Sequence, residues 1–99
     1  MSIELNQNKE DEKRVKVLKA LADPTRLQII RVLKSRGSEI SCAEIYEAFP
    51  QVKSTISFHF RTLREADLTI MRKESREKFV VLNQETFDHY FPSFLESLD

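Results

Sequence analysis

The 99-residue sequence holds one glycine, three prolines, one cysteine and no tryptophan. A lone cysteine, Cys42, excludes an intrachain disulfide and any multi-cysteine zinc cage, which fits a reducing compartment. A lone glycine leaves nothing from which to build a glycine-rich phosphate loop or a nucleophile elbow. No apolar run approaches the length that crosses a bilayer, and the opening MSIELNQNKEDEK shows no basic leader with an apolar core. A cytoplasmic protein with no membrane partner is therefore expected. An excess of one charge is missing too, since 16 Lys and Arg balance 16 Asp and Glu. What is present, 40% hydrophobic and 32% charged residues, is ordinary for one folded domain.

Zero net charge conceals a local polarity. Between residues 53 and 78 the cations Lys53, Arg61, Arg64, Arg72, Lys73, Arg76 and Lys78 outnumber the acids Glu65, Asp67, Glu74 and Glu77. Beyond 78 only acids follow: Glu85, Asp88, Glu96 and Asp99. The positive ground lies in the middle of the chain.

Punctuation divides the chain into short helices. A first helix is predicted over about 8–22, with Val15, Leu18, Leu21 and Ala22 at core spacing behind the solvated run KEDEKR. Asp23 caps the next, with Pro24 at the first helical position, and Gly37 ends it as the left-handed C-cap. Ser41 and Glu44 form the S-x-x-E pattern of a capping box, with Ile40 and Ile45 as its hydrophobic staple. That helix is short, because Pro50 disfavours helical geometry at Phe49.

The stretch VKSTISFHFRTLRE, 52–65, is the next helix, with Ile56, Phe60 and Leu63 on its apolar stripe and His59 beside them as a packed, hydrogen-bonded residue. Two helices joined by so brief a turn, the second polar outside, are what a helix-turn-helix requires. Ser54, Phe58 and Arg61 share its outer side, Ser57 and Arg64 adjoin them, and Lys53 and Thr55 sit at the leading end. Small hydroxyls permit close approach to a major-groove floor, arginine suits guanine and a phenylalanine ring suits thymine methyls. The run LTIMRKESREKFVVL then reads as a hairpin with a polar tip at 74–77, its Arg72, Lys73, Arg76 and Lys78 placed for phosphate or minor-groove contact. A last helix, capped by Asn83 and kinked near Pro92, lines Phe87, Phe91, Phe94, Leu95 and Leu98 along one side. With Tyr90, these aromatics exceed what a small core covers, and Ile3 and Leu5 are left over at the other end of the chain. Leu5, Phe87, Tyr90, Phe91, Phe94 and Leu98 are accordingly expected at a twofold interface.

LKALADPTRLQIIRVLK, ISCAEIYEAF, STISFHFRTLREADL and the basic hairpin, in that order, resemble the ArsR/SmtB family of small dimeric winged helix-turn-helix repressors. The resemblance covers roughly 15–95. It implies a mainly α fold of order α-α-α-α-β-β-α with a small β hairpin, one domain over 1–99 with a flexible 1–8, and a C-terminal dimerisation helix over 83–99. It also implies a homodimer through the first and last helices, bound to double-stranded DNA at a palindromic operator. Asp67 and Ser75 stand where the family usually has glycine, and Val52 where it often has a serine cap, so that Ser54 is the alternative cap. The paired metal-binding cysteines of some members fall at Ser41 and Ala43, with Cys42 between them, so no metal or cofactor is expected and no effector is identified. Glu85 and His89 share a face but are too few for a zinc site. Cys42 reads as a small buried residue, or alternatively as a thiolate favoured by the helix start. An enzyme is not expected, whereas a winged-helix module that binds protein and no DNA is the alternative.

Overall fold

The computed structural model describes residues 2–5 and 8–98. Met1, Asn6 and Gln7 of the expected flexible segment, and Asp99 of the expected last helix, lie outside the described residues. Helix α1 spans Lys9–Leu21, capped by the Asn8 side chain, which accepts from the Glu10 amide at 2.9 Å. Helix α2, Pro24–Arg36, starts on the Asp23 carboxylate and stops at Gly37 with φ 71, as its sequence predicts. A short strand β1, Ile40–Ser41, leads into α3, Cys42–Ala48, whose first turn is capped by Ser41 Oγ accepting from the Glu44 amide at 3.2 Å. Glu44 does not complete the reciprocal half of a capping box; its carboxylate pairs with Arg36. Phe49 is extended before Pro50, and α4 then runs Lys53–Glu65. Strands β2, Thr69–Glu74, and β3, Glu77–Leu82, form the hairpin, and α5 covers Gln84–Tyr90.

The sheet is antiparallel in the order β1-β3-β2, with Ile40 and Met71 flanking Val80 from opposite sides. Strand β1 was not legible in the sequence, because two residues carry no periodicity. Its role is to tie the start of α3 to the base of the wing. The core joins Ile29, Ile30 and Leu33 of α2, Ile45 of α3, Ile56, Phe60 and Leu63 of α4, and Leu68, Val80 and Phe87, all nearly inaccessible. Each such side chain contributes on the order of 1.5–3 kcal/mol through burial.

Several expectations are corrected. Val17, Ala20 and Leu21 face the core from α1, while Val15 and Leu18 are 47% and 51% exposed and Ala22 is exposed. The helix carries two apolar stripes, and periodicity alone does not say which one packs. Neither Ser54 nor Asn83 donates a cap: Val52 and Asn83 hold the N-cap positions of α4 and α5 without side-chain hydrogen bonds. The last helix does not kink and continue. It ends at Tyr90, Phe91 takes φ −141, Ser93 takes φ 69, and a separate 3-10 turn forms at Leu95–Leu98. Pro92 lacks an amide donor and disfavours helical geometry before it, which breaks the ladder there. Arg31 and Lys34 of α2 hold the detached turn by donating to the Leu98 and Leu95 carbonyls at 3.0 and 2.7 Å.

Asp67 and Ser75 adopt the positive φ that glycine would serve, 59 and 57. Asp67 offsets part of that strain through an ion pair with Lys13 of α1, whereas Ser75 stands exposed at the tip. Ser75→Gly should therefore raise the urea midpoint by the equivalent of roughly 0.5 kcal/mol, and Ser75→Val, β-branched at the same angle, should lower it. Equal midpoints for the three proteins would show that the wing tip is unstrained.

Candidate nucleic-acid interface

Helix α4 buries Ile56, His59, Phe60 and Leu63 and turns the rest outward. Ser54, Thr55, Phe58, Arg61 and Arg64 are all exposed, Phe58 at 55%. An uncapped N-terminus leaves the leading amides of α4 without a side-chain acceptor, beside the Lys53 ammonium. The ridge thus offers hydroxyls, guanidinium groups and one apolar ring on a rigid support.

Ser57 is placed differently. Its hydroxyl lies 2.9 Å from Tyr46 Oη, so α3 holds it half-buried at the rim of the ridge. Tyr46 was missed in the sequence, because a helix of two turns is too short for its periodicity to mark a half-buried tyrosine. It packs edge-on against Phe60 at 6.0 Å and carries the Lys53 ammonium over its ring at 5.2 Å. Tyr46 therefore orients both Lys53 and Ser57.

Strand alternation decides the wing. Thr69, Met71 and Lys73 of β2 share a face with Lys78, Val80 and Leu82 of β3, and this is the face that packs toward the core and α4. Lys73 and Lys78 continue it past the apolar residues as a cationic extension, and Arg76 stands at the tip. Lys78 lines a small cavity with Tyr46, Ser57, Arg61, Arg64 and Met71, so wing and ridge meet in one surface. Arg64 reaches the Met71 sulfur at 3.7 Å across that junction.

Arg72, expected on this surface, lies on the opposite face. It stacks over Phe79 at 4.6 Å, donates to Glu74 at 3.1 Å and forks onto both oxygens of Glu39, one of them at 2.8 Å. The guanidinium holds the Glu39 carboxyl below its usual range. Both groups are well exposed, so solvent screens much of that interaction. Its charge is nonetheless committed to fixing the wing against the α2–β1 connection.

Behind α4, His59 is anchored by Arg26, whose guanidinium lies 3.0 Å from His59 Nδ1. Arginine only donates, so Nδ1 accepts and the ring is the neutral Nε2–H tautomer in this arrangement. The same guanidinium donates to the Ala20 and Lys19 carbonyls at the end of α1, at 2.6 and 3.3 Å. Asp23 accepts the Arg26 amide at 3.0 Å, and this bond, with the nearby Arg26 charge, lowers its carboxyl pKa against residual desolvation. Thr25 accepts from Gln51 Nε2 at 3.0 Å, tying the same corner to the turn between α3 and α4.

The residues assigned to a twofold interface divide. Phe87 and Leu98, 1% and 9% exposed, belong to the protomer core, because the end of the helix before Pro92 lets the tail fold back onto α2. Tyr90, Phe91 and Phe94 are half-buried, and Leu5 is 91% exposed. Cys42 is buried, and burial pushes its thiol up while Lys78 opposes weakly, which disfavours a reactive thiolate. Among the described residues no cluster of three potential metal ligands forms, and His89 pairs with Glu10 at 3.0 Å. Among them, too, no helix is long and apolar enough to cross a membrane.

A model described as a helix-turn-helix domain matches residues 21–72. An uncharacterised HTH-type transcriptional regulator, YceK, of Bacillus subtilis (strain 168) is 52% identical over 90% of this chain and 89% of its own. The arsenical resistance operon repressor of Staphylococcus xylosus is 32% identical over 74% of this chain and 68% of its own. The structure of HlyU from Vibrio cholerae N16961 superposes with a TM-score of 0.75 at 31% identity, covering 93% of this chain and 94% of that one.

The depressed Asp23 pKa, below 3.8, fixes a sign: its stabilising effect is complete above the unfolded value and is lost as pH falls through the lower folded value. Asp23→Asn keeps an acceptor for the Arg26 amide and should flatten the stability curve below about pH 4. Urea midpoints at pH 7 and pH 3 test this, and an undiminished acid loss in the variant would remove Asp23 from the account.

Proposed function

Because the chain belongs to the ArsR family of winged helix-turn-helix transcriptional regulators, we propose that it is a dimeric repressor reading a palindromic operator through α4 and the wing. The family consists of DNA-binding regulators and not enzymes. The observation that carries the finer reading is the continuous surface of Ser54, Thr55, Phe58, Arg61 and Arg64 with Lys73, Arg76 and Lys78. No acidic side chain pairs with Arg61, Lys73, Arg76 or Lys78 within salt-bridge distance among the described residues. Arg61 and Phe58 read base edges, while Lys53, Lys73, Arg76 and Lys78 hold phosphates.

The second apolar stripe of α1 supports the dimer. Val15 and Leu18 are exposed in the protomer, and α5 lies alongside α1 through the Glu10–His89 pair and Arg14 over the Tyr90 ring at 5.8 Å. Val15 and Leu18 are thus apolar side chains on α1 left uncovered for a twofold mate. Pairing there sets two copies of α4 toward half-sites about one helical turn, ~34 Å, apart.

Selection of random duplexes on the purified protein should return an inverted repeat. A winged-helix module that binds only protein, a reading favoured by exposed Phe58 and zero net charge, predicts no enrichment. Leu18→Glu should give a monomer in sedimentation at micromolar concentration and weaken operator binding by more than about tenfold. A persistent dimer would move the interface off α1.

Arg61→Ala should relax base preference at one position, at a cost of about 1–3 kcal/mol, whereas Arg76→Ala should weaken all duplexes alike and flatten the salt slope by about one. Unchanged affinities in both would refute the assignment of residues.

A further inference from the structure

A cavity of about 200 Å³ opens between the start of α3, the first residue of α4 and the returning edge of the wing. Ser41, Cys42, Ala43 and Tyr46 line one side, and Lys53, Arg76, Glu77 and Lys78 the other. We propose that this cavity is a binding site for a phosphoryl oxyanion, held by Lys53, Arg76 and Lys78. Three cations from two separate elements converge on it against a single acid, Glu77, and among the described residues none of the three forms an ion pair. The resulting double positive charge matches a phosphate monoester, which carries about −1.5 to −2 at neutral pH. A carboxylate, with one charge and two coplanar oxygens, leaves one cation unmatched.

The remaining lining suits the same ligand. Ser41 Oγ accepts the Glu44 amide, which leaves its O–H free to donate, and the Tyr46 ring holds the Lys53 ammonium at the rim. The buried Cys42 side chain adds a neutral thiol rather than a competing anion. At roughly 30 Å³ per water the space holds about six or seven, enough for a phosphoryl group and a few further heavy atoms. Lys53, Arg76 and Lys78 also belong to the proposed DNA surface, so a phosphate monoester bound in the cavity competes there with the singly charged backbone phosphates of the duplex. Only this last point rests on the regulatory reading.

The probe is pyrophosphate, titrated into the full chain at constant ionic strength and followed by amide chemical shifts. Saturating shifts confined to residues 41–43, 53 and 76–78 are expected. Lys78→Gln and Arg76→Gln, both at exposed positions, should each weaken binding at least about fivefold, as loss of a charge-assisted hydrogen bond does. Lys73→Gln, outside the cavity, should leave binding within about twofold. Shifts that do not saturate, that chloride reproduces, or that Lys73→Gln diminishes equally would reduce the site to a diffuse positive field and overturn the proposal. This titration contains no DNA, so failure of duplex binding in a separate mobility-shift assay would defeat the regulatory reading and leave the site standing. Where duplex binds, weakening by pyrophosphate beyond the ionic-strength effect is expected. An unmoved duplex affinity at saturating pyrophosphate would overturn the competition between cavity and duplex.

Discussion

One guanidinium holds the pieces of this fold in register. The Arg26 side chain closes the end of α1 by donating to two carbonyls there and grips His59 on the hidden side of α4, while its backbone amide donates to Asp23, the cap of α2. Its neighbours in the run Asp-Pro-Thr-Arg complete the corner: Pro24 occupies the first turn, where no amide donor is required, and Thr25 takes the Gln51 amide from the turn before α4. The planar fork of arginine serves three acceptors at fixed angles, which a lysine at the same place does not. The orientation of the α4 ridge is thus set by a polar corner on its far side, as well as by the burial of Ile56, Phe60 and Leu63.

The wing is positioned by a comparable division of labour. Alternation along β2 and β3 sends Lys73 and Lys78 to the α4 side and Arg72 and Phe79 to the other. Charge on one face is left available, and charge on the opposite face is consumed by Glu39 and Glu74 in bracing the hairpin. Zero net charge is therefore compatible with a phosphate-binding surface, because Glu39, Glu44, Asp67 and Glu74 are paired in bracing the structure and others lie on α1 and the C-terminal region. Tyr46 of α3 braces the helical part of this surface through Ser57 and Lys53, both of α4.

At the ends of the chain part of the apolar surface is enclosed in the core and part is left outside it. Pro92 interrupts α5 and returns Leu95 and Leu98 to α2, so that Phe87 is enclosed within the protomer. At these ends Ile3, Leu5 and, on α1, Val15 and Leu18 remain outside, while Tyr90, Phe91 and Phe94 are half-buried. A surplus of apolar surface was evident from the aromatic-rich tail, but the particular side chains that carry it moved from one helix to another.

Local chemistry is what the sequence determined by itself. Asp23, Pro24, Gly37, Ser41 and Pro50 act through covalent geometry and hydrogen bonds to near neighbours, and the helices start and stop where these residues say. The buried stripe of α4 and the pairing of two β-rich runs were equally legible, since periods of 3.6 and 2 need no partner to be read. The order of elements followed, and with it the helix-turn-helix and its polar outer ridge. Tertiary structure alone decided the rest. Which of two apolar stripes on α1 packs depends on what lies opposite; Arg72 turns away because Glu39, 33 residues distant, waits on the other face; two residues at 40–41 become a strand only because β3 offers an edge. Asp67 and Ser75 hold positive φ that their own side chains resist, because turn closure and contacts elsewhere outweigh a local preference of about 1–2 kcal/mol.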